Sequence, residues 1–121
     1  MINYEVIRML IKDVCKKCKL TKKAVEYYEQ QGLISPAVED NGYRNYSDED
    51  ISVLKEIGVL RKLGISISEI KDILASTNKA AALAKCKYKM DLEVEKSMAK
   101  KKCLEQLIKD YDIEQAITYI E

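Results

Sequence analysis

The chain has no histidine, no tryptophan, no phenylalanine and a single proline in 121 residues. The missing histidine removes the commonest general base at neutral pH and the commonest metal ligand. There is also no glycine-rich phosphate loop and no set of converging carboxylates, so an enzyme is not expected. No apolar run is long enough to span a bilayer, and no basic leader precedes an uninterrupted apolar stretch. A cytoplasmic protein without membrane contact is the expectation. In a reducing cytosol the four cysteines, Cys15, Cys18, Cys86 and Cys103, should remain thiols. With 47% hydrophobic residues a modest core is affordable, filled by Tyr, Ile and Leu.

The formal net charge of +1 hides an uneven distribution. Between residues 8 and 23, Arg8, Lys12, Lys16, Lys17, Lys19, Lys22 and Lys23 face one acid, Asp13. Between residues 24 and 60 only Arg44 and Lys55 oppose eight acids. A basic patch on a nearly neutral chain points to local contact with an anionic partner; the alternative is a solvated lysine-rich face.

The centre of the basic stretch reads as a helix from Thr21 to Gly32. Thr21 suits the N-cap and Gly32 the left-handed stop. Ala24, Val25 and Tyr28 share one face, while Lys22, Lys23 and Tyr27 point elsewhere. Lysines in a first turn oppose the helix dipole, and an anion outside the helix would resolve that conflict. Before it, Ile11, Val14, Cys15 and Cys18 form an i, i+3, i+4, i+7 stripe, so a short helix spans residues 11–19. Two short helices joined by a tight turn make a helix-turn-helix. Residues 1–9 form an N-terminal extension in which Ile2, Tyr4 and Val6 alternate, as in a strand or an ordered arm.

Beyond Gly32, Pro36 enforces extended backbone, and Asn41-Gly42 between extended segments signals a hairpin in which both residues tolerate positive φ. This hairpin is a wing. Ser47 starts a helix running to about Leu63, Gly64 stops it, and the Ser66–Glu69 capping pattern starts another. After the breaker Ser76-Thr77-Asn78, residues 79–111 contain no Gly or Pro. The heptad series Leu83, Lys87, Met90, Val94, Ser97, Lys101, Leu104, Ile108 and Tyr111 is mostly apolar, as in a coiled coil with a second chain, parallel or antiparallel. Such a helix is about 50 Å long. The alternative is a helix folded back on the first 75 residues. Residues 112–121 read as a short terminal helix.

The run Thr21 to Tyr28, then Gly32 to Pro36, Asn41 to Tyr46, Asp50-Ile51 and Leu60 to Ile70 resembles the MerR family of bacterial transcription regulators over about residues 10–75. The resemblance implies a mostly α fold: a winged helix-turn-helix DNA-binding domain at residues 10–76, followed by a long dimerisation helix. It implies a homodimer that binds a pseudo-palindromic promoter with an overlong spacer, bends and untwists it, and so acts on RNA polymerase. Thr21, Lys22 and Lys23 match the start of the family's major-groove helix, and Tyr27-Tyr28 its double tyrosine, with Tyr27 toward phosphate and Tyr28 partly in the core. Tyr43 and Arg44 match the wing, and Arg61 a second basic region. Glu26 stands where the family usually has arginine; Lys22, Lys23 or Arg44 could neutralise it, or it could accept from a cytosine amine. Lys19 replaces the usual turn glycine, at a cost if φ is positive.

On this reading the dimer seam carries Leu83, Met90, Val94, Leu104, Ile108 and Tyr111. No cofactor or metal site is expected. Cys15-Lys16-Lys17-Cys18 is a Cys-x-x-Cys, yet it lies on the buried stripe, and zinc would need two further ligands. The tail is expected to be too short for the separate drug-binding domain that some members of the family carry. A small-molecule effector, if there is one, would sit against the dimer helix and the terminal helix. Two other readings stand beside the regulator: a dimeric protein-interaction adaptor whose Glu26 has weakened DNA binding, and a cysteine-based metal or redox sensor.

Overall fold

A computed structural model describes residues 10–120; the alternating residues 2, 4 and 6 lie outside the described residues. Six helices and a two-stranded hairpin follow in order: α1 (Ile11–Cys18), α2 (Lys22–Gln30), β1 (Ala37–Val38), β2 (Arg44–Asn45), α3 (Asp48–Lys62), α4 (Ile67–Ala75), α5 (Lys79–Lys109) and α6 (Ile113–Ile120). This is the mostly helical winged helix-turn-helix followed by a long helix that the sequence predicts. The chain falls into two compact units that divide between Lys71 and Asp72, inside α4.

In the first unit α1 packs on both α2 and α3. Val14, Val25, Leu54, Ile57 and Ile70 are fully buried, and Tyr28, Ile34, Tyr46, Ile51, Leu60 and Ile65 nearly so. Except for Ile34, Tyr46 and Ile65, which lie outside the helices, these are stripe positions of amphipathic helices, and their burial follows the sequence periodicity directly. Cys15 and Cys18, placed on the same stripe, are half-buried.

One backbone device closes three helices. At the end of α2, Gly32 N–H donates to Glu29 O at 2.9 Å and Leu33 N–H to Tyr28 O at 3.0 Å, with Gly32 at φ +75. At the end of α3, Gly64 N–H donates to Arg61 O at 2.9 Å and Ile65 N–H to Leu60 O at 3.2 Å, with Gly64 at φ +81. This is the Schellman pattern, which needs a left-handed residue and therefore favours glycine. At the end of α1 the left-handed residue is Lys19, at φ 55, with Leu20 N–H donating to Cys15 O at 3.0 Å. A side chain there costs about 1–2 kcal/mol, against about 0.5–1 kcal/mol of extra chain entropy lost by glycine. Lys19→Gly should therefore stabilise the first unit by about 0.5–1 kcal/mol, read as a rise in the urea midpoint.

The helix starts are as legible. Thr21 Oγ1 accepts from Ala24 N–H at 3.1 Å. Ser47 and Asp50 form a reciprocal capping box at the start of α3. Ser66 Oγ accepts from Glu69 N–H at 3.2 Å, and Asn78 Oδ1 from Ala81 N–H at 3.1 Å. Gly58 lies inside α3, where a Cβ would meet only Leu20 Cδ2 at an ordinary 3.8 Å. Glycine weakens a helix interior by roughly 0.5–1 kcal/mol relative to alanine, so Gly58→Ala should raise stability by that order in calorimetry.

The wing departs from the expected turn. Ala37 pairs with Asn45 and Val38 with Arg44, antiparallel. Among the described residues Gly42 has positive φ, +84, but Asn41 does not. Gly42 N–H donates to Glu39 O at 2.9 Å, and Glu39 N–H to Tyr43 O at 2.8 Å. The loop is thus a three-residue turn closed by a left-handed glycine rather than a two-residue Asn-Gly turn. Asn41 serves it differently: its Oδ1 accepts from Tyr43 N–H at 3.0 Å.

In the second unit α6 folds back against α5. Buried Cys103 donates its thiol proton to Ala116 O at 3.8 Å. The long helix ends at Lys109, two residues earlier than expected. Asp110 is already extended, at φ −146 and ψ 117, and Asp112 caps α6 by accepting from Gln115 N–H at 3.1 Å. Tyr111 therefore lies in the connector and is not a heptad position of the helix. Lys87, another heptad position, pairs with Asp91 at 2.9 Å on the exposed surface.

Candidate nucleic-acid interface

The start of α2 presents its basic residues to solvent. Thr21 spends an oxygen lone pair on the cap and keeps its hydroxyl proton for another acceptor. Lys22 and Lys23 are exposed in the first turn, which contains no acid. The two neighbouring tyrosines divide as expected: Tyr28 is buried at 6% exposure and Tyr27 stands 44% exposed. Their rings contact at 5.8 Å with a 58° tilt, so the buried ring braces the exposed one.

Beside α2 lies a cleft of about 480 Å³, walled by α1, α2 and the wing. Lys22, Glu26, Tyr43 and Arg44, all expected at the interface, line it together. Thr21, Lys23, Tyr27 and Arg61 lie outside its lining. Exposed Arg61 has one donor committed to the α3–α4 turn, Nη1 donating to Ile65 O at 3.1 Å.

The charges inside the cleft pair differently from the expectation. Arg44 Nε donates to Glu29 Oε1 at 2.7 Å and Oε2 at 2.9 Å. The hydrogen bond and charge of Glu29 hold the Arg44 guanidinium above its usual range. Among the described residues Glu26 is in no ion pair, with Lys22 or with the wing arginine. The wing crosses α2 one turn beyond Glu26 and meets Glu29 instead. Lys12 of the basic stretch also lines the cleft, as does Glu29, which the sequence did not single out. The available signal was the i+3 spacing that puts Glu29 on the face of Glu26.

At the inner wall Tyr46 is buried at 3% exposure, and its hydroxyl makes no hydrogen bond among the described residues. Burial first, then the nearby Glu29 charge, pushes its phenol up, so the ring stays neutral.

The thiols are placed for packing. Burial is the largest cause raising both Cys15 and Cys18 above the ordinary thiol range, and Cys18 donates to Ile51 O at 3.8 Å. Among the described residues no group of three or more His, Cys, Asp or Glu is arranged to hold a metal, and no helix is long and apolar enough to cross a membrane. On α5 Leu83, Met90, Val94, Leu104 and Ile108, the residues expected at a dimer seam, are all exposed in the single chain, Ile108 at 84%.

Comparison with known proteins agrees with this architecture. The sequence pattern of the MerR HTH family regulatory proteins matches residues 9–77. The chain is similar to the HTH-type transcriptional regulator CueR of Yersinia pestis, 41% identical over 68 residues, covering 55% of this chain and 49% of that protein. The chain spans about half the length of the curated relatives it matches. Among solved structures it resembles EcmrR in a cryo-EM EcmrR–DNA complex within EcmrR-RPo, with TM-score 0.67 and 27% identity, over 87% of this chain and 41% of that one. It also resembles the N-terminal part of MtaN, the multidrug transporter activator of Bacillus subtilis, with TM-score 0.61 and 27% identity, over 89% and 98% of the two chains. The family pattern covers more than half of the sequence, and its matched stretch holds the helix-turn-helix and the wing: the chain belongs to the MerR HTH family of regulatory proteins.

Proposed function

We propose that the protein is a homodimeric, DNA-binding transcription regulator that distorts a pseudo-palindromic promoter and acts on RNA polymerase. The observation that carries this reading is the shared surface of Lys22, Tyr43 and Arg44, with exposed Lys23 beside it at the start of α2. Cations at a helix N-terminus are unfavourable alone and become favourable against phosphate. The α2 helix enters the major groove, and the wing holds the adjacent backbone. Two reading helices are set at half-site spacing by pairing of α5 through Leu83, Met90, Val94, Leu104 and Ile108. Sequence-dependent cost of bending and untwisting the spacer supplies part of the specificity. Any small-molecule effector acts at α5 and α6. Catalysis has no part in this reading.

The test is a mobility shift against the gene's own upstream DNA across a salt series. The reading expects log K to fall steeply and linearly with log salt, because phosphate neutralisation releases counterions. A flat response or no shift would favour the dimeric adaptor instead. Glu26 is the observation behind that second reading, since it is exposed beside the basic residues with no cation pairing it among the described residues. Glu26→Arg should tighten operator binding, by roughly tenfold for one added charged hydrogen bond, and steepen the salt slope. Unchanged affinity and slope would remove α2 from the groove.

A further inference from the structure

We infer that Glu29 is a positioning residue for DNA binding: it anchors Arg44 through Nε and thereby presents the rest of the guanidinium to the DNA backbone. The inference rests on the DNA-binding reading above and deepens it. Four observations support it. Glu29 lies in the last turn of α2, where a carboxylate opposes the negative end of the helix dipole and needs a cation to offset it. Arg44 comes from a different element, fifteen residues on, and its Nε meets both carboxylate oxygens. Glu29 is the more covered partner, its side chain 25% exposed against 45% for Arg44, so the pair buries its acid and shows its cation. Finally, the wing strands are only two residues long each, and a hairpin of that size has little stability of its own.

An arginine has five N–H donors in a planar fork, and anchoring Nε leaves the η nitrogens for phosphate. Holding a long side chain before binding removes part of the ordering cost from the binding step. The consequence is a sign that simple electrostatics would not give. A carboxylate beside DNA ordinarily repels it, so its removal should tighten binding. If Glu29 positions Arg44, its removal weakens binding.

The experiment is a double-mutant cycle on the full chain, with Glu29→Ala, Arg44→Ala and the pair, using upstream DNA at fixed salt and checking that melting is retained. Glu29→Ala should weaken binding by roughly two- to tenfold per protomer, the ordering cost of one long side chain. Glu29→Gln, which keeps one acceptor oxygen, should fall between it and the unaltered protein. In the Arg44→Ala background the same Glu29→Ala change should leave affinity unchanged or raise it. Tighter binding by Glu29→Ala alone would overturn the inference, as would equal weakening in both backgrounds. A readout independent of DNA is the Arg44 Nε–H proton in NMR spectra of the free protein. It should be resolved and slowly exchanging, and lost in Glu29→Ala. Its absence from the unaltered protein would overturn the positioning role even if DNA binds. No DNA binding by the unaltered protein, with the Nε–H signal present, would defeat the DNA-binding reading and the positioning role built on it.

Discussion

Replacing Val94 and Leu104 together by glutamate should break the proposed dimer into monomers and cost on the order of a hundredfold or more in operator affinity. Both side chains are exposed in the single chain, at 56% and 61%. Glutamate is a good helix former, so the isolated α5 loses little by the change. In a symmetric pair, however, each new carboxylate enters an apolar seam alongside those of the second copy. The affinity loss follows because two linked half-site contacts gain about 10²–10⁴ over one. Sedimentation equilibrium reads the first effect and a mobility shift the second. A variant that remains dimeric would move the seam away from these residues, and a monomer that binds DNA undiminished would remove dimerisation from the mechanism.

The second large effect concerns the core of the DNA-binding unit. Leu54 is fully buried at the middle of α3. Leu54→Ala removes buried carbons and leaves a cavity that close-packed neighbours fill only partly, costing about 2–5 kcal/mol. A domain of this size is held by about 5–15 kcal/mol in total, so the variant stands near the threshold for folding. Urea unfolding should show a lowered midpoint with an unchanged slope. Val59, on the same helix but 60% exposed, provides the contrast: Val59→Ala should stay within about 0.5 kcal/mol. Equal effects at the two positions would contradict the burial pattern.

The elements were legible because their signals are local. Thr21, Ser47, Ser66 and Asn78 cap the helices that follow them, and Gly32 and Gly64 take the left-handed stops. Stripe spacing set Val14 on one face of α1, and Val25 with Tyr28 on one face of α2, and all three are buried. What escaped was of two kinds: choices between competing local hydrogen bonds, and one pairing distant in sequence. Asn41 and Gly42 permit two hairpin turns, and the choice between them lies in which carbonyl Gly42 reaches. A heptad count carries Tyr111 into α5, but the cap that Asp112 provides to α6 ends the regular backbone first. The cleft was half readable: its cations were found singly, while the pairing of Arg44 with Glu29 rather than Glu26 depends on how the wing crosses α2.

The start of α2 and the wing are proposed to bind DNA phosphates. The most direct measurement is the salt dependence of operator binding for Lys22→Ala, Lys23→Ala and Arg44→Ala beside the unaltered protein. If each cation neutralises a phosphate, each change should weaken binding to all sequences alike and flatten the log K against log salt slope by about 1 for each cation removed. Slopes identical to that of the unaltered protein in all three variants would contradict the account.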